Sequence, residues 1–136
     1  MRTSFFAAVV IMMGAAGCAI VWGTRATELT VARGPRGDSV TVKLLLSQAW
    51  LQGELYAVDS IAMVVASPEL TRIPWTLIAA VSSHGLRREY STSHGSLAPV
   101  ARAELRTISR FPQGLDAALL DTVLVLRHQA AVKVIE

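Results

Sequence analysis

One cysteine and two histidines are the side chains in this 136-residue chain whose contexts suggest chemistry at a defined position. Cys18 is the only cysteine, so neither an internal disulfide nor a cysteine-based metal cluster can form. His84 and His94 stand in the repeated contexts SSHG and TSHG, where they could face one another across a hairpin. A zinc site needs three or four protein ligands, so Glu89 or His128 would have to complete it. A solvated loop is the simpler interpretation, and we predict neither a metal nor another cofactor.

The first 17 residues have the design of an export signal. A short start containing Arg2 is followed by an apolar run from 5 to 13 and by small residues from 14 to 17. A signal peptidase requires small side chains directly before the cut, because its pocket accepts an extended backbone there. The chain supplies them at Ala15, Ala16 and Gly17.

The stretch AAGC at 15–18 resembles the lipobox of bacterial lipoproteins. In that family the cysteine is acylated on its sulfur and becomes the new N-terminus, so the resemblance implies lipidation of Cys18. Ala15 departs from the pattern, because leucine is commonest at that position. Ala19 is not the aspartate linked to inner-membrane retention, which favours an outer membrane if the host has one. The resemblance therefore implies a lipid-anchored, extracytoplasmic protein of the cell envelope.

Other interpretations fit the same N-terminal stretch. Residues 5–23 are 19 residues without a charge, close to the roughly 20 that a membrane-spanning helix needs. Arg2 and Arg25 would flank such a helix. The stretch could therefore remain as a transmembrane anchor or act as a conventional secretory signal, and a buried helix of a cytoplasmic protein is the last alternative.

The charge balance bears on the class of partner. The chain carries a formal net charge of +3, and 17% of its residues are charged, below the roughly 25% of a typical soluble domain. So small a positive charge does not support nucleic-acid binding. We therefore predict a membrane contact through the anchor and a protein partner in the envelope, and no nucleic acid.

Short strands must position the remaining candidate residues. After a tether over 18–38, alternating apolar residues predict a half-buried strand from 39 to 47. Gly53 lies inside the second strand, where a strand bends sharply or lets another backbone come close. The segment SPELTRIP at 67–74 is predicted to interrupt the strands. The later strands are predicted at 51–58, 61–66, 75–82 and around 86–90.

Such short strands with tight turns predict a small sheet that closes on itself to hide its apolar face. Residues 38–81 resemble the Sm-like and SH3-like small barrels in their order of strand, Gly-Glu-Leu bend, Val-Asp turn, apolar strand and Ile-Pro. The resemblance implies a strongly curved barrel of four or five strands over 39–95. Sm proteins bind RNA with an acidic or amide residue in a turn that Asp59 matches, and with an Arg-Gly step that TLIAAVSS lacks.

The segment from 96 to 136 is predicted to be helical and to pack on the barrel. A first helix would begin at Ser96 and end before FPQG, and a second would run from 115 to 131. A basic stripe along the first helix could meet lipid phosphate or an acidic partner, or simply face solvent. The stripe consists of Arg102, Arg106 and Arg110.

Tryptophans and serines complete the candidates. Trp50 and Trp75 are predicted to fill or rim the barrel, but an exposed Trp50 would be a hot spot for binding a partner. Ser83 and His84 could be arranged with Asp59 as a hydrolytic triad only on paper, because no G-x-S-x-G motif accompanies them. We therefore predict no catalytic residues.

The sequence thus predicts a mainly β fold with C-terminal helices in a lipid-anchored, non-enzymatic envelope or protein-binding component. The first alternative is an Sm-like nucleic-acid-binding module, which would require a different interpretation of the N-terminus. The second alternative is a secreted metal-binding or hydrolytic domain around the two histidines.

Overall fold

The computed structural model describes residues 36–136. The predicted cleavage and lipidation sites at 15–18 therefore lie outside the described residues. Seven strands form one mixed sheet, and two helices pack on it. The strands are β1 Ser39–Leu44, β2 Trp50–Val58, β3 Ala62–Ser67, β4 Glu69–Pro74, β5 Ile78–Ser83, β6 Arg88–Ser91 and β7 Lys133–Val134. The helices are α1 Pro99–Ile108 and α2 Ala117–Leu126.

The strand order across the sheet is β6-β5-β1-β2-β3-β4-β7. Strands β1 to β4 form an antiparallel meander, β5 returns to pair with β1, and β7 pairs parallel with β4. Within residues 36–136 no pairing joins the two outer strands, so the sheet is open rather than closed. The mainly β fold with helices is confirmed. The closed barrel of four or five strands is not what forms, because β6 and β7 pair with the edges that a closed barrel would join.

The prediction that the segment at 67–74 interrupts the strands is wrong, because this segment contains β4. Its residues alternate between faces, with Thr71 and Ile73 buried on one side. Pro68 precedes the strand and Pro74 ends it, so neither removes an N–H from the middle of the ladder. The prolines therefore bound a strand here instead of breaking one.

Both helices are shorter than predicted. Helix α1 begins at Pro99 rather than Ser96, since proline is favoured in the first turn, where its missing N–H has no partner to lose. The Asp116 carboxylate caps α2 by accepting the Leu119 N–H at 2.7 Å. Helix α2 ends at Leu126, and the chain beyond it turns to pair with the edge of β4.

Gln129 makes that edge contact with its side chain. Its Oε1 accepts the Leu70 N–H at 2.8 Å, and its Nε2 donates to the Leu70 carbonyl at 3.0 Å. The amide thus pairs with one residue of β4 as a neighbouring strand would. Residues 127–131 leave the helix to make this contact, which explains why the predicted helix to 131 was wrong.

Helices lie on both faces of the sheet. Adjacent β3 residues point to opposite faces, and they belong to different core clusters, Met63 to one and Val64 to the other. Leu105 of α1 packs in the first cluster and Leu124 of α2 packs in the second. The strand predicted at 61–66 is therefore confirmed as β3, and it is covered on both faces.

Gly53 marks a close approach of two backbones. A Cβ built on Gly53 would lie 2.1 Å from the Ala66 carbonyl oxygen of β3, far inside any real contact. The predicted close approach at this position is therefore observed, and only glycine fits it.

Candidate functional site

The hairpin between β1 and β2 ends in an exposed apolar tip, here called the hairpin tip and comprising residues 45–50. Leu45 is 47% exposed, Leu46 84% and Trp50 58%. The Leu44 N–H donates to the Ala49 carbonyl at 2.9 Å and closes the loop. Three large apolar side chains of one short loop are therefore exposed to solvent.

A cation lies at the base of the hairpin tip. The Lys43 Nζ is 5.5 Å from the centroid of the Trp50 ring, within cation–π range. No aspartate or glutamate occurs between Ser39 and Gly53, so this end of the hairpin is positively charged, and Glu54 lies further along β2. The hairpin tip thus combines an apolar end with a single basic side chain.

The two tryptophans of the described residues have different surroundings. Trp75 is 1% exposed and donates its Nε1–H to the Asp59 carbonyl at 3.1 Å, so it fills the core as predicted. Trp50 neither fills nor rims a core, which corrects the first interpretation of that residue. Its exposure satisfies the condition under which Trp50 was predicted to be a binding hot spot.

The arginine stripe is used inside the fold. Arg102 donates to the Ser60 carbonyl at 2.9 Å, and Arg106 donates to the Val58 carbonyl at 3.3 Å. Four residues advance a helix by about 6 Å, and two residues advance an extended chain by about 6.6 Å, so Arg106 meets the end of β2 and Arg102 meets the second residue beyond it. Arg110, just beyond α1, continues the series at the Tyr56 hydroxyl, 3.1 Å away. The stripe therefore fastens α1 along β2, which sequence spacing alone did not reveal.

The two histidines lie at opposite ends of one strand pair. The Thr92 N–H donates to the Ala79 carbonyl, so His94 lies beyond the start of β5, whereas His84 follows its end. Five residues of strand, about 17 Å, separate Ala79 from His84. The structure therefore does not bring the two histidines face to face, which was the alternative to a solvated loop. Among residues 36–136 no group of three or more histidine, cysteine, aspartate or glutamate side chains is placed to hold a metal ion.

The structure also does not assemble the possible hydrolytic triad of Ser83, His84 and Asp59. The Ser83 hydroxyl donates to the Asp38 carboxylate, and His84 Nε2 lies 2.9 Å from the Thr41 hydroxyl. Asp59 accepts the N–H groups of Ile61 and Ala62 with one carboxylate oxygen. Asp59 therefore organises its own turn, as aspartates in turns commonly do.

The buried carboxylate of Glu104 was not among the predicted site residues. Glu104 of α1 is 6% exposed, and its oxygens accept the Arg88 guanidinium at 3.2 Å and the Tyr90 hydroxyl at 2.6 Å. Burial and the Glu104 carboxylate raise the pKa of Tyr90 well above its usual range. The available signal was the position of Glu104 beside Leu105 and three residues after Ala101, on the apolar face of the helix.

A groove of about 540 Å³ lies between β3, β4 and the start of α2. Its volume falls within the range of small-molecule sites. The walls are largely apolar. Of the three charged side chains that line the groove, Asp59 and Arg72 pair with each other at 3.3 Å, and Asp116 caps α2. Any occupant would therefore be held chiefly by apolar contact.

The remaining observations concern the membrane and known proteins. Neither helix of the described part, residues 36–136, has the length and apolar character needed to cross a bilayer. No protein-family model, no curated protein and no solved structure matches the chain.

Proposed function

We propose that the protein is a lipid-anchored, extracytoplasmic component of the cell envelope that binds another envelope protein through its hairpin tip and performs no catalysis. The observation that carries the binding role is the joint exposure of Leu45, Leu46 and Trp50 on one short loop. Tryptophan is enriched among interface residues that dominate binding energy, and leucine supplies apolar area around it. The hairpin tip is therefore the partner-binding surface.

The chemistry of the partner follows from the same residues. Burying a leucine or similar side chain contributes roughly 1.5–3 kcal/mol, so the three side chains of the hairpin tip offer a substantial driving force. Lys43 at the base favours a partner whose apolar depression carries a carboxylate at its rim. The occupant is thus an envelope protein with an apolar pocket bordered by acidic residues.

The anchor is supported by the AAGC stretch and by the length of chain behind it. Cys18 precedes the first strand by roughly 20 residues, which span at most about 70 Å when extended. An acylated cysteine would therefore hold the sheet near a bilayer without fixing its orientation. More than one acyl chain gives durable attachment, because a single chain is marginal.

We also propose that the five central strands are a small-barrel unit of the Sm-like or SH3-like kind, widened by β6 and β7. The support is the order β5-β1-β2-β3-β4 and the short 3₁₀ turn Trp75–Leu77 that joins β4 to β5. A protein partner is preferred over nucleic acid because the Asp59 carboxylate is occupied by its own turn and by Arg72.

A lipid anchor at Cys18 predicts the first residue and the mass of the mature protein. Intact mass measurement of the membrane-extracted chain is expected to show a start at Cys18 with acyl chains attached. Cys18→Ser should abolish incorporation of labelled palmitate, because the acceptor sulfur is gone. The control is Ser39→Ala, which leaves the signal untouched and should keep the label. A soluble cytoplasmic chain that retains Met1 would contradict the proposal.

The partner role predicts a crosslink from the hairpin tip. A photo-reactive residue in place of Gln48 is expected to give one discrete protein adduct in intact cells. Trp50→Ala should reduce that adduct at least about tenfold, since hot-spot truncations cost about 2 kcal/mol or more. Ile61→Ser changes an exposed apolar residue elsewhere and should leave the adduct unchanged. An adduct of equal yield with and without Trp50 would exclude the hairpin tip as the binding surface.

A further inference from the structure

Two arginines converge on one buried tyrosine hydroxyl on the α2 side of the sheet. Tyr56 of β2 is 3% exposed, and its hydroxyl accepts from Arg110 Nη1 at 3.1 Å and from Arg127 Nη1 at 3.0 Å. The guanidinium carbons of the two arginines also lie 5.1 and 5.5 Å from the Tyr56 ring centroid. The two residues come from different segments, one after α1 and the other at the end of α2. Their convergence is therefore a feature of the tertiary fold.

The three polar residues border a cavity of about 230 Å³, here called the arginine pocket. Its walls are completed by Val123 and Leu126 of α2. The pocket thus has a cationic end and an apolar side. It is separate from the hairpin tip and from the groove near Asp59.

The positive charge of the arginine pocket is only partly neutralised. Arg110 has a carboxylate near it, because Glu54 Oε1 lies 3.5 Å from its Nη1. Arg127 pairs with no carboxylate among residues 36–136, and its hydrogen bonds go to the Tyr56 hydroxyl and the Pro68 carbonyl. The two guanidinium groups repel each other, because both lie within hydrogen-bond distance of the same Tyr56 hydroxyl. An anion between the two arginines would therefore be stabilised.

Unused hydrogen-bond donors point to the same conclusion. The Nε of Arg127 is buried and lacks a partner within the described residues. The Tyr56 hydroxyl accepts from both arginines, and no acceptor for its own proton is found among residues 36–136. A buried donor without an acceptor is costly, and an oxyanion supplies several acceptors at once.

We propose that the arginine pocket binds a phosphate group carried on a small apolar body. Guanidinium groups match phosphate oxygens with parallel hydrogen bonds, and a phosphate monoester carries enough charge to offset both arginines. Val123 and Leu126 would contact the apolar part of the ligand. A lipid headgroup and a soluble phosphate ester share this chemistry. The site does not depend on the lipid anchor or on the hairpin tip.

The test is a binding titration with the full chain in a neutral detergent. Calorimetry at constant ionic strength would use two probes, inorganic phosphate and a short-chain phosphatidic acid. Saturable binding of at least one probe is expected. Arg127→Gln should weaken that binding about tenfold or more, because charged hydrogen bonds are lost. Arg102→Gln removes an arginine that bonds to Ser60, away from the pocket, and should leave the affinity unchanged.

The outcomes separate the two sources and the purely structural alternative. Phosphatidic acid that binds more than tenfold tighter than phosphate assigns the site to a phosphate with an apolar body, as in a lipid, whereas equal affinities would overturn the apolar contact and leave a bare soluble phosphate as the ligand. No saturable binding of either probe, or equal affinity in Arg127→Gln, would show that the arginines only fasten α2 to β2. Cooperative thermal unfolding checks that each variant is folded. If Arg127→Gln does not fold, Tyr56→Phe keeps the ring and should weaken phosphate binding severalfold.

Discussion

Trp75→Ala is expected to lower the free energy of unfolding by about 4 kcal/mol, the largest effect of any single change considered for this chain. Trp75 is among the largest fully buried side chains of the described residues and packs in the cluster that contains Leu55 and Leu105. Its removal would leave a cavity between the sheet and α1. It would also leave the Asp59 carbonyl without the indole donor that now lies 3.1 Å away.

Chemical denaturation of the full chain in a neutral detergent, followed by circular dichroism, measures this loss. Trp50→Ala is the matched control, because the same side chain is removed from a position that is 58% exposed. Its effect should stay within about 0.5 kcal/mol, as for most surface substitutions. Similar losses from the two variants would contradict the assignment of Trp75 to the core and Trp50 to the surface.

Glu104→Ala is expected to cost about 2 kcal/mol of folding stability, because hydrogen bonds to a buried charged group are lost. The substitution removes the buried carboxylate oxygens that now accept hydrogen bonds from the Arg88 guanidinium and the Tyr90 hydroxyl. These contacts join α1 to β6, an outer strand of the sheet. Glu89→Ala is the control, because Glu89 lies between the two partners on β6 but is exposed and should change stability within about 0.5 kcal/mol.

The pH dependence of stability gives a second measurement at this site. Burial first, and then the Glu104 carboxylate, raise the pKa of Tyr90 in the folded protein. Because this pKa is raised, the contribution of Tyr90 to folding stability is complete below the ordinary tyrosine pKa of about 10 and is lost as the pH rises above it. Denaturation midpoints should therefore fall steeply above pH 10 in the native chain. Tyr90→Phe should flatten that fall, and an unchanged slope would contradict the role of Tyr90.

Local patterns predicted the early strands well because their burial follows a period of two. Val40 and Val42 alternate with half-buried residues in β1, and the apolar run in β3 does lie between two layers. Strand β4 was missed because Pro68 and Pro74 suggest an interruption when the pairing partners are unknown. Strand β7 has only two residues and is held by contacts with β4, which no local periodicity encodes.

The sequence identified residues that could belong to a candidate site, but it did not show which of them are exposed or which residues they contact. Trp50 and Trp75 were both predicted to fill or rim the barrel, and the difference in their burial comes from long-range packing. The spacing of Arg102 and Arg106 was visible, but their acceptors are carbonyls more than forty residues away in the chain. Glu104 could be recognised from its place on an apolar helix face, whereas its partnership with Arg88 required the three-dimensional structure.

The contact between Gln129 and Leu70 has a consequence for self-association. An uncovered outer strand offers its free N–H and C=O groups to any second copy of the chain, which is a route to fibrous aggregates. The Gln129 amide occupies both groups of Leu70, and β7 covers the next residues of β4. A single side chain and a two-residue strand thus cover the β4 edge, so a second copy of the chain cannot pair with β4 there.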